Sequence, residues 1–288
     1  MKNTAIIIPT RLGAKRYPRK PLEKINNVPK AMTIAGSDSG GGAGIQADLK
    51  TFSALGVYGA SSVTAITVQN TVGVFGVHEI PTEIISGQID AVISDIGIDC
   101  IKIGMLSSSY IIECVADTLL KHQVSWLVVD PVMVAKSGDS LLREDALAAL
   151  KSKLIPMASV VTPNIPEAET LTDMIISNEE DVKECAKRIV ELGAKSVVVK
   201  GGHLEGPATD VLYDGSSFVE FTSPRISSNN THGTGCTFAS AITAGLAKDM
   251  TLTESVAQAK EFVTEAIRSS YDIGSGHGPL NHFFRYWT

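Results

Sequence analysis

Ala31-Met32-Thr33-Ile34-Ala35-Gly36-Ser37-Asp38-Ser39-Gly40-Gly41-Gly42-Ala43-Gly44 is the stretch that decides how this chain folds. Ala31 to Ala35 is a short, mostly apolar run of strand character, and a glycine-rich loop follows it directly. Behind the loop, Ile45, Leu49 and Phe52 recur at helical spacing, and Gly56 stands where a C-terminal cap belongs. Ala60 to Val68 is apolar and β-branched enough to form the next strand. Strand, helix and strand joined by short glycine connections predict the start of a parallel α/β sheet.

Downstream the alternation continues. The spacing of Ile85, Ile89, Val92 and Ile96 predicts a helix over Thr82 to Ile96, and Cys100 to Ile103 a strand. Ser107 to His122 reads as a helix, Ser125 to Val129 as a buried strand, Arg143 to Leu154 as a helix, and Ser159 to Thr162 as a strand. Ser177 and Glu180 have capping-box spacing ahead of a helix carrying Val182, Cys185, Ile189 and Leu192, which Gly193 closes. Ser196 to Lys200 is the next strand. Asp210 to Tyr213 and Phe218 to Phe221, with Asp214-Gly215 between, predict a hairpin. Leu252 to Ser270 is a last long helix. No repeat or low-complexity linker interrupts 31–288, so the expectation is one doubly wound domain, mostly parallel, with helices on both sheet faces.

In such sheets ligands bind outside the C-terminal ends of the strands. The polar residues there are Asp38, Gln69 and Asn70, Lys102, Asp130, Asn164 and Glu167, Lys200 and Cys236. The last belongs to Asn230-Thr231-His232-Gly233-Thr234-Gly235-Cys236, which runs into an apolar helix with Phe238, Ile242 and Leu246 on one face. A glycine turn at a helix start gathers unpaired N–H groups and the positive dipole end, which suits phosphate. Taken alone, it is equally an ordinary loop leading into a core helix.

Composition narrows the classes. The chain has 288 residues, 44% of them hydrophobic, and a formal net charge of −6. With no basic run beyond the N-terminal arm, nucleic acid is not an expected partner. Cys100, Cys114, Cys185 and Cys236 lack metal-site spacing, so neither zinc nor disulfides are expected. No apolar run approaches the roughly 20 residues of a membrane span, and no signal peptide is visible. A soluble, cytoplasmic protein is the expectation.

Seven strand-end motifs together resemble one family. They are the run 35–51, Val68-Gln69-Asn70-Thr71, Lys102-Ile103-Gly104-Met105-Leu106, the run 128–134 around Asp130-Pro131, Thr162-Pro163-Asn164-Ile165-Pro166-Glu167-Ala168, Lys200-Gly201-Gly202-His203 and Thr231 to Thr237. Their order is that of the hydroxymethylpyrimidine and phosphomethylpyrimidine kinases of thiamine biosynthesis, within the ribokinase-like fold. The resemblance implies ATP, Mg²⁺, a homodimer, and a pyrimidine alcohol phosphorylated first on its hydroxymethyl oxygen and then on that phosphate.

The residues fit such chemistry. Gly233, Thr234, Gly235 and Cys236 offer backbone amides to a transferring phosphoryl group. Asp130 and Glu167 are hard oxygen ligands for Mg²⁺, with Asn164 assisting, and Lys200 neutralises ATP phosphates. Asp130 and Asn164 as simple turn caps, and Lys200 as a solvated strand end, are the plainer alternatives. For the ring, Gln69 carries donors and an acceptor to match an aminopyrimidine edge. Gly36 belongs to the same pocket, Met105 and Val132 are apolar walls, and Asp48 binds a hydroxyl or amine unless it is an exposed helix charge. Relatives such as ribokinase carry Asp, a general base, at the position of Cys236. A thiol at a helix N-terminus is expected to have a lowered pKa, unless it is a small inert core residue. A pyridoxine or pyridoxal kinase and a non-catalytic ligand-binding protein are the competing readings.

Residues 1–30 read differently. Ala5 to Ile8, the basic loop Pro9 to Arg16, and Tyr17-Pro18-Arg19-Lys20-Pro21-Leu22 resemble the opening of sugar-nucleotide cytidylyltransferases such as the 3-deoxy-manno-octulosonate enzyme. Nothing downstream continues that pattern, and a lone strand cannot form a site. The expectation is an appendage without function.

Overall fold

A computed structural model describes residues 28–133, 144–202 and 206–287. Residues 1–27 of the N-terminal arm therefore lie outside the described residues, while Lys30 at its end is the first residue of the first strand; Val134, Arg143 and His203, which the sequence motifs and helix assignments included, also lie outside.

The chain runs β1 (Lys30–Asp38), α1 (Gly44–Ala54), β2 (Tyr58–Gln69), β3 (Val74–Glu79), α2 (Thr82–Asp95), β4 (Cys100–Ile103), α3 (Ser109–Leu119) and β5 (Trp126–Val129). Then come α4 (Glu144–Ala149), which passes into a π turn at Leu150–Leu154, β6 (Val160–Val161), α5 (Ile165–Thr172), α6 (Glu179–Glu191) and β7 (Val197–Val199). The hairpin β8 (Ala208–Tyr213) and β9 (Phe218–Ser223) follows, and α7 (Thr234–Ala247) and α8 (Leu252–Arg268) close the fold. The strands form one sheet in the order β3-β2-β1-β4-β5-β6-β7-β8-β9. From β2 to β7 every pairing is parallel, while β3 at one edge and β8–β9 at the other are antiparallel.

Strand alternation explains the layers. Successive side chains point to opposite faces, so a strand apolar at every position needs cover on both. Val197 and Val199 pack on the face covered by α2, α3, α5 and α6, whereas Val198 faces α1, α7 and α8. Met32 and Ile34 share the first core and Ala31 the second. The doubly wound, mostly parallel α/β sheet is what the sequence predicts.

Several local readings change. The box before α6 is one residue later: Asn178 accepts from the Asp181 amide at 3.0 Å and Asp181 accepts from the Asn178 amide at 3.2 Å. Both pairs have the same spacing, and the shorter Asp and Asn side chains close the reciprocal bonds here. Two elements had no sequence assignment. β3 extends the sheet from β2, and α5 starts immediately after Asn164 with Pro166 in its first turn. The helix after the second glycine loop starts at Thr234, one turn earlier than its apolar periodicity shows.

Candidate active site

A cavity of about 720 Å³ opens along the C-terminal ends of the strands. Two glycine loops build its floor. The first, after β1, is organised by Asp38: its carboxylate accepts from the amides of Gly40 at 2.8 Å, Gly42 at 3.0 Å and Ala43 at 2.8 Å. The second reaches α7 through Gly233, whose φ of +83° places it in the left-handed region. A Cβ on Gly233 would strike the Gly42 carbonyl, so glycine also permits the two loops to touch. His232, one residue earlier, lies 2.8 Å from Asp38 through Nε2. Burial pushes the Asp38 carboxyl up, but His232 and the loop amides outweigh it and hold the carboxyl below its ordinary value.

Gly36, Gln69, Met105 and Val132 are among the residues that line the cavity. Gln69 is held at 3.0 Å from the Thr67 hydroxyl, and its amide nitrogen is 3.5 Å from His232 Nε2. Met105 is both wall and core, 9% exposed and packed against Gly36, where a Cβ would collide with its terminal methyl.

The middle of the cavity is charged. Lys200 Nζ donates to Asp130 Oδ1 at 2.9 Å and lies 3.9 Å from Glu167 Oε2. Gly235 in the first turn of α7 backs onto this group, since a Cβ there would lie 3.3 Å from Lys200 Nζ and 3.6 Å from Asp130 Oδ2. Burial drives the Glu167 carboxyl up to about 7, with Lys200 opposing and Asp130 adding to the rise. Burial disfavours the Lys200 charge, but Asp130 and Glu167 more than restore it. Lys200 is therefore an ion-paired cavity residue and not a solvated strand end. Asp130 Oδ2 is buried and has no hydrogen-bond partner among the described residues. An anionic oxygen in that state is costly unless a cation or donor meets it. Among the described residues no three His, Cys, Asp or Glu side chains gather, so a cation on Asp130 and Glu167 would need oxygens from elsewhere. Asn164 does cap, as its plainer reading has it: Oδ1 accepts from the Glu167 amide at 2.9 Å, and Glu167 Oε2 accepts from the Asn164 amide at 2.8 Å. The same box fixes Glu167 toward the cavity.

Two expectations change. Asp48 is neither an exposed charge nor part of the cavity wall. It is fully buried, 3.0 Å from Lys102 Nζ, and accepts from Thr33 at 2.6 Å and Ser240 at 2.7 Å. It thus joins α1, β1, β4 and α7 and holds Lys102, which does line the cavity. Burial works against the Lys102 charge, yet Asp48 outweighs it and raises the pKa. The Cys236 thiol is pushed up, to about 11, not down. Burial dominates, the nearby Lys102 and the Gly44 amide lower it, and Asp48 and Asp130 raise it again. At this half-buried thiol, burial and the two carboxylates outweigh the helix end and Lys102.

His232, Asp38 and Lys102 were not singled out for a role by sequence reasoning. His232 sits inside the glycine motif and Asp38 and Lys102 at strand ends, so position pointed to them but their partners did not.

A family model for phosphomethylpyrimidine kinase matches residues 38–281. The chain belongs to the phosphomethylpyrimidine kinase family. It is 52% identical over 256 residues to the hydroxymethylpyrimidine/phosphomethylpyrimidine kinase of Bacillus subtilis, covering 88% of this chain and 94% of that protein. It is 54% identical over 252 residues to the thiamine biosynthesis bifunctional protein ThiED of Geobacter sulfurreducens, covering 87% of this chain but only 51% of that longer protein. Among solved structures, an ADP complex of Bacillus subtilis pyridoxal kinase superposes with a TM-score of 0.83 at 43% identity, over 88% of this chain and 97% of that one. A phosphomethylpyrimidine kinase and a pyridoxal kinase thus share the fold on which this cavity is built.

Proposed function

We propose that this chain transfers the terminal phosphoryl group of ATP to the hydroxymethyl oxygen of 4-amino-5-hydroxymethyl-2-methylpyrimidine, and then a second one to the phosphate of that product, in thiamine biosynthesis. The observation that carries the reading is one continuous cavity. Gln69, Gly36, Met105 and Val132 line it together with the α7 N-terminus, Lys200 and Asp130. Gln69 reads the amine and ring nitrogen, while Met105 and Val132 sandwich apolar ring faces. The amides of Gly233, Thr234, Gly235 and Cys236 receive the transferring group at the positive end of α7. Lys200 stands against the nucleotide phosphates, and the apolar Ile226, Val263 and Ile267 of the same lining exclude water around the rest of the nucleotide. Asp130 and Glu167, with Asn164 fixing the latter, would hold Mg²⁺ together with phosphate oxygens, and the orphaned Asp130 Oδ2 is the atom such a cation would satisfy. When bound, that ion neutralises charge on the phosphates.

Cys236 stands where the hydroxyl would approach. With its pKa pushed up to about 11 it is a neutral thiol at neutral pH, so it orients the alcohol more than it ionises it. A loose phosphoryl-transfer transition state asks little of a base, and the second acceptor is an ionised phosphate that asks nothing. The same reading takes the chain as a cytoplasmic homodimer. Among the described residues no helix is long and apolar enough to cross a membrane, and Ile66 and Val68, on one face of β2, are 49% and 62% exposed, offering an apolar surface to a second copy. Sedimentation tests this, with a monomer at micromolar concentration as the contrary result.

Pyridoxal phosphorylation is the second reading, favoured by the likeness to a pyridoxal kinase. A coupled assay of ADP release, run with the aminopyrimidine alcohol, its monophosphate and pyridoxal, decides between them. Turnover of both pyrimidines supports the proposal, turnover of pyridoxal alone supports the second reading, and ADP release with none of the three sinks both.

A further inference from the structure

His232 performs none of the roles proposed above, yet it stands where the two glycine loops meet. Asp38 as a carboxylate only accepts, so the 2.8 Å contact requires the proton on His232 Nε2. Behind that bond Asp38 gathers the amides of Gly40, Gly42 and Ala43, the whole first loop. The Cδ2 edge of the imidazole also abuts that loop, because any Cβ on Gly42 would run into it. On the other side His232 is covalently followed by Gly233, the first cap of α7. The Gln69 amide nitrogen, itself a donor, lies 3.5 Å from that N–H without pairing with it, and Gln69 is held instead by Ser39, which ties its backbone to the first loop at 2.8 and 2.9 Å. One N–H therefore joins the first loop, to which the Gln69 backbone is tied, to the turn that faces the phosphates.

We propose that His232 is a positioning residue, which through its Nε2–H keeps the ring-reading loop and Gln69 in register with the phosphoryl-binding N-terminus of α7. This rests on the functional reading above and deepens it. Chemistry between two separately held reactants depends on their alignment to within about an ångström. If the register slips, the hydroxyl and the phosphoryl group are each still bound but no longer aligned. The loss should then fall on turnover and on use of the pyrimidine, and not on nucleotide binding.

Three variants separate the donor from the bulk of the ring. His232→Gln places an amide N–H close to the position of Nε2, His232→Phe keeps a ring on Gly42 without a donor, and the amide of His232→Asn stops short of Asp38. Expected is kcat/KM for the pyrimidine alcohol within about threefold of wild type for Gln, and about 10- to 100-fold lower for Phe and Asn, the size of one lost hydrogen bond to a charged group. ADP Kd and Tm should be nearly unchanged in all folded variants. Phe as active as Gln would overturn the proposal, leaving the ring as mere packing on Gly42. Should Phe fail to fold, Asn and Gln carry the test, and equal activity of those two overturns it. A weakened ADP Kd in proportion to kcat/KM also overturns it, as a general loosening of the site. The failure of the functional reading looks different, since a wild type that never turns over the pyrimidine overturns both.

Discussion

At the scale of single residues, the cavity is a set of buried charges each held by a stated partner. Gln69 is neutral, and its effect is selective. Replacing it with Met removes the donors and acceptor at the ring edge but keeps length and apolar volume. kcat/KM for the aminopyrimidine should fall by at least about tenfold, against a ceiling of about 10⁴–10⁵ for a site built wholly on hydrogen bonds. Any pyridoxal turnover should fall much less, and parallel losses would show that Gln69 does not read the amine. For Cys236→Ala the first phosphorylation should slow more than the second, by about tenfold, because only an alcohol must shed a proton. A neutral thiol orients the alcohol without taking its proton, so the loss stays below the about 10²–10⁴-fold of positioned proton-transfer groups. Steady-state kinetics on the alcohol and on its monophosphate check this, and equal losses would leave Cys236 a packing role.

At the scale of elements, caps and termini decide where the pieces sit. The box on α6 belongs to Asn178 and Asp181. Asn178→Ala should cost about 0.5–2 kcal/mol in denaturant unfolding, while Ser177→Ala should cost a few tenths, both with activity unchanged. The reverse order would return the cap to Ser177. The segment after α8 is fastened to α7 by His282, whose ring nitrogen lies 2.9 Å from the Thr237 hydroxyl. Burial and then Lys50 lower the His282 pKa from 6.5 to about 4. In this sense of shift, the unfolded chain binds a proton first, so stability is whole above about 6.5 and is lost as pH falls toward about 4. The loss from this group approaches about 3 kcal/mol across that window. Denaturation midpoints of wild type and His282→Gln between those pH values check it: the slope should flatten in the variant, and an unchanged slope would place the titration elsewhere.

At the scale of the whole molecule, one parallel sheet brings seven motifs, dispersed from 35 to 237, to a single edge. The Pro29 carbonyl accepts from the Tyr58 amide at 2.9 Å, so the kinase fold takes hold of the chain from there. Deleting residues 1–27 should leave Tm and pyrimidine turnover within about twofold of the full chain, as an appendage whose sequence pattern nothing downstream continues predicts. Loss of either would show that the arm belongs to the working enzyme.

The sequence by itself determined the α/β alternation, the glycine loops and the polar residues at the strand ends. These are local properties, set by periodicity, by glycine's backbone range and by the rule that parallel strands end at the site. It also carried the motifs of the phosphomethylpyrimidine kinase family. Only the tertiary structure decided what those side chains meet. Asp48 has the look of an exposed helix charge until β4 brings Lys102 to it across 54 positions. The helix-end argument for a reactive Cys236 is local, whereas the burial that reverses it comes from the packed sheet. His232 is one more residue in a glycine motif until the fold sets it on Asp38, 194 positions earlier. Desolvation and ion pairing depend on neighbours distant in the chain, so no window of sequence contains them.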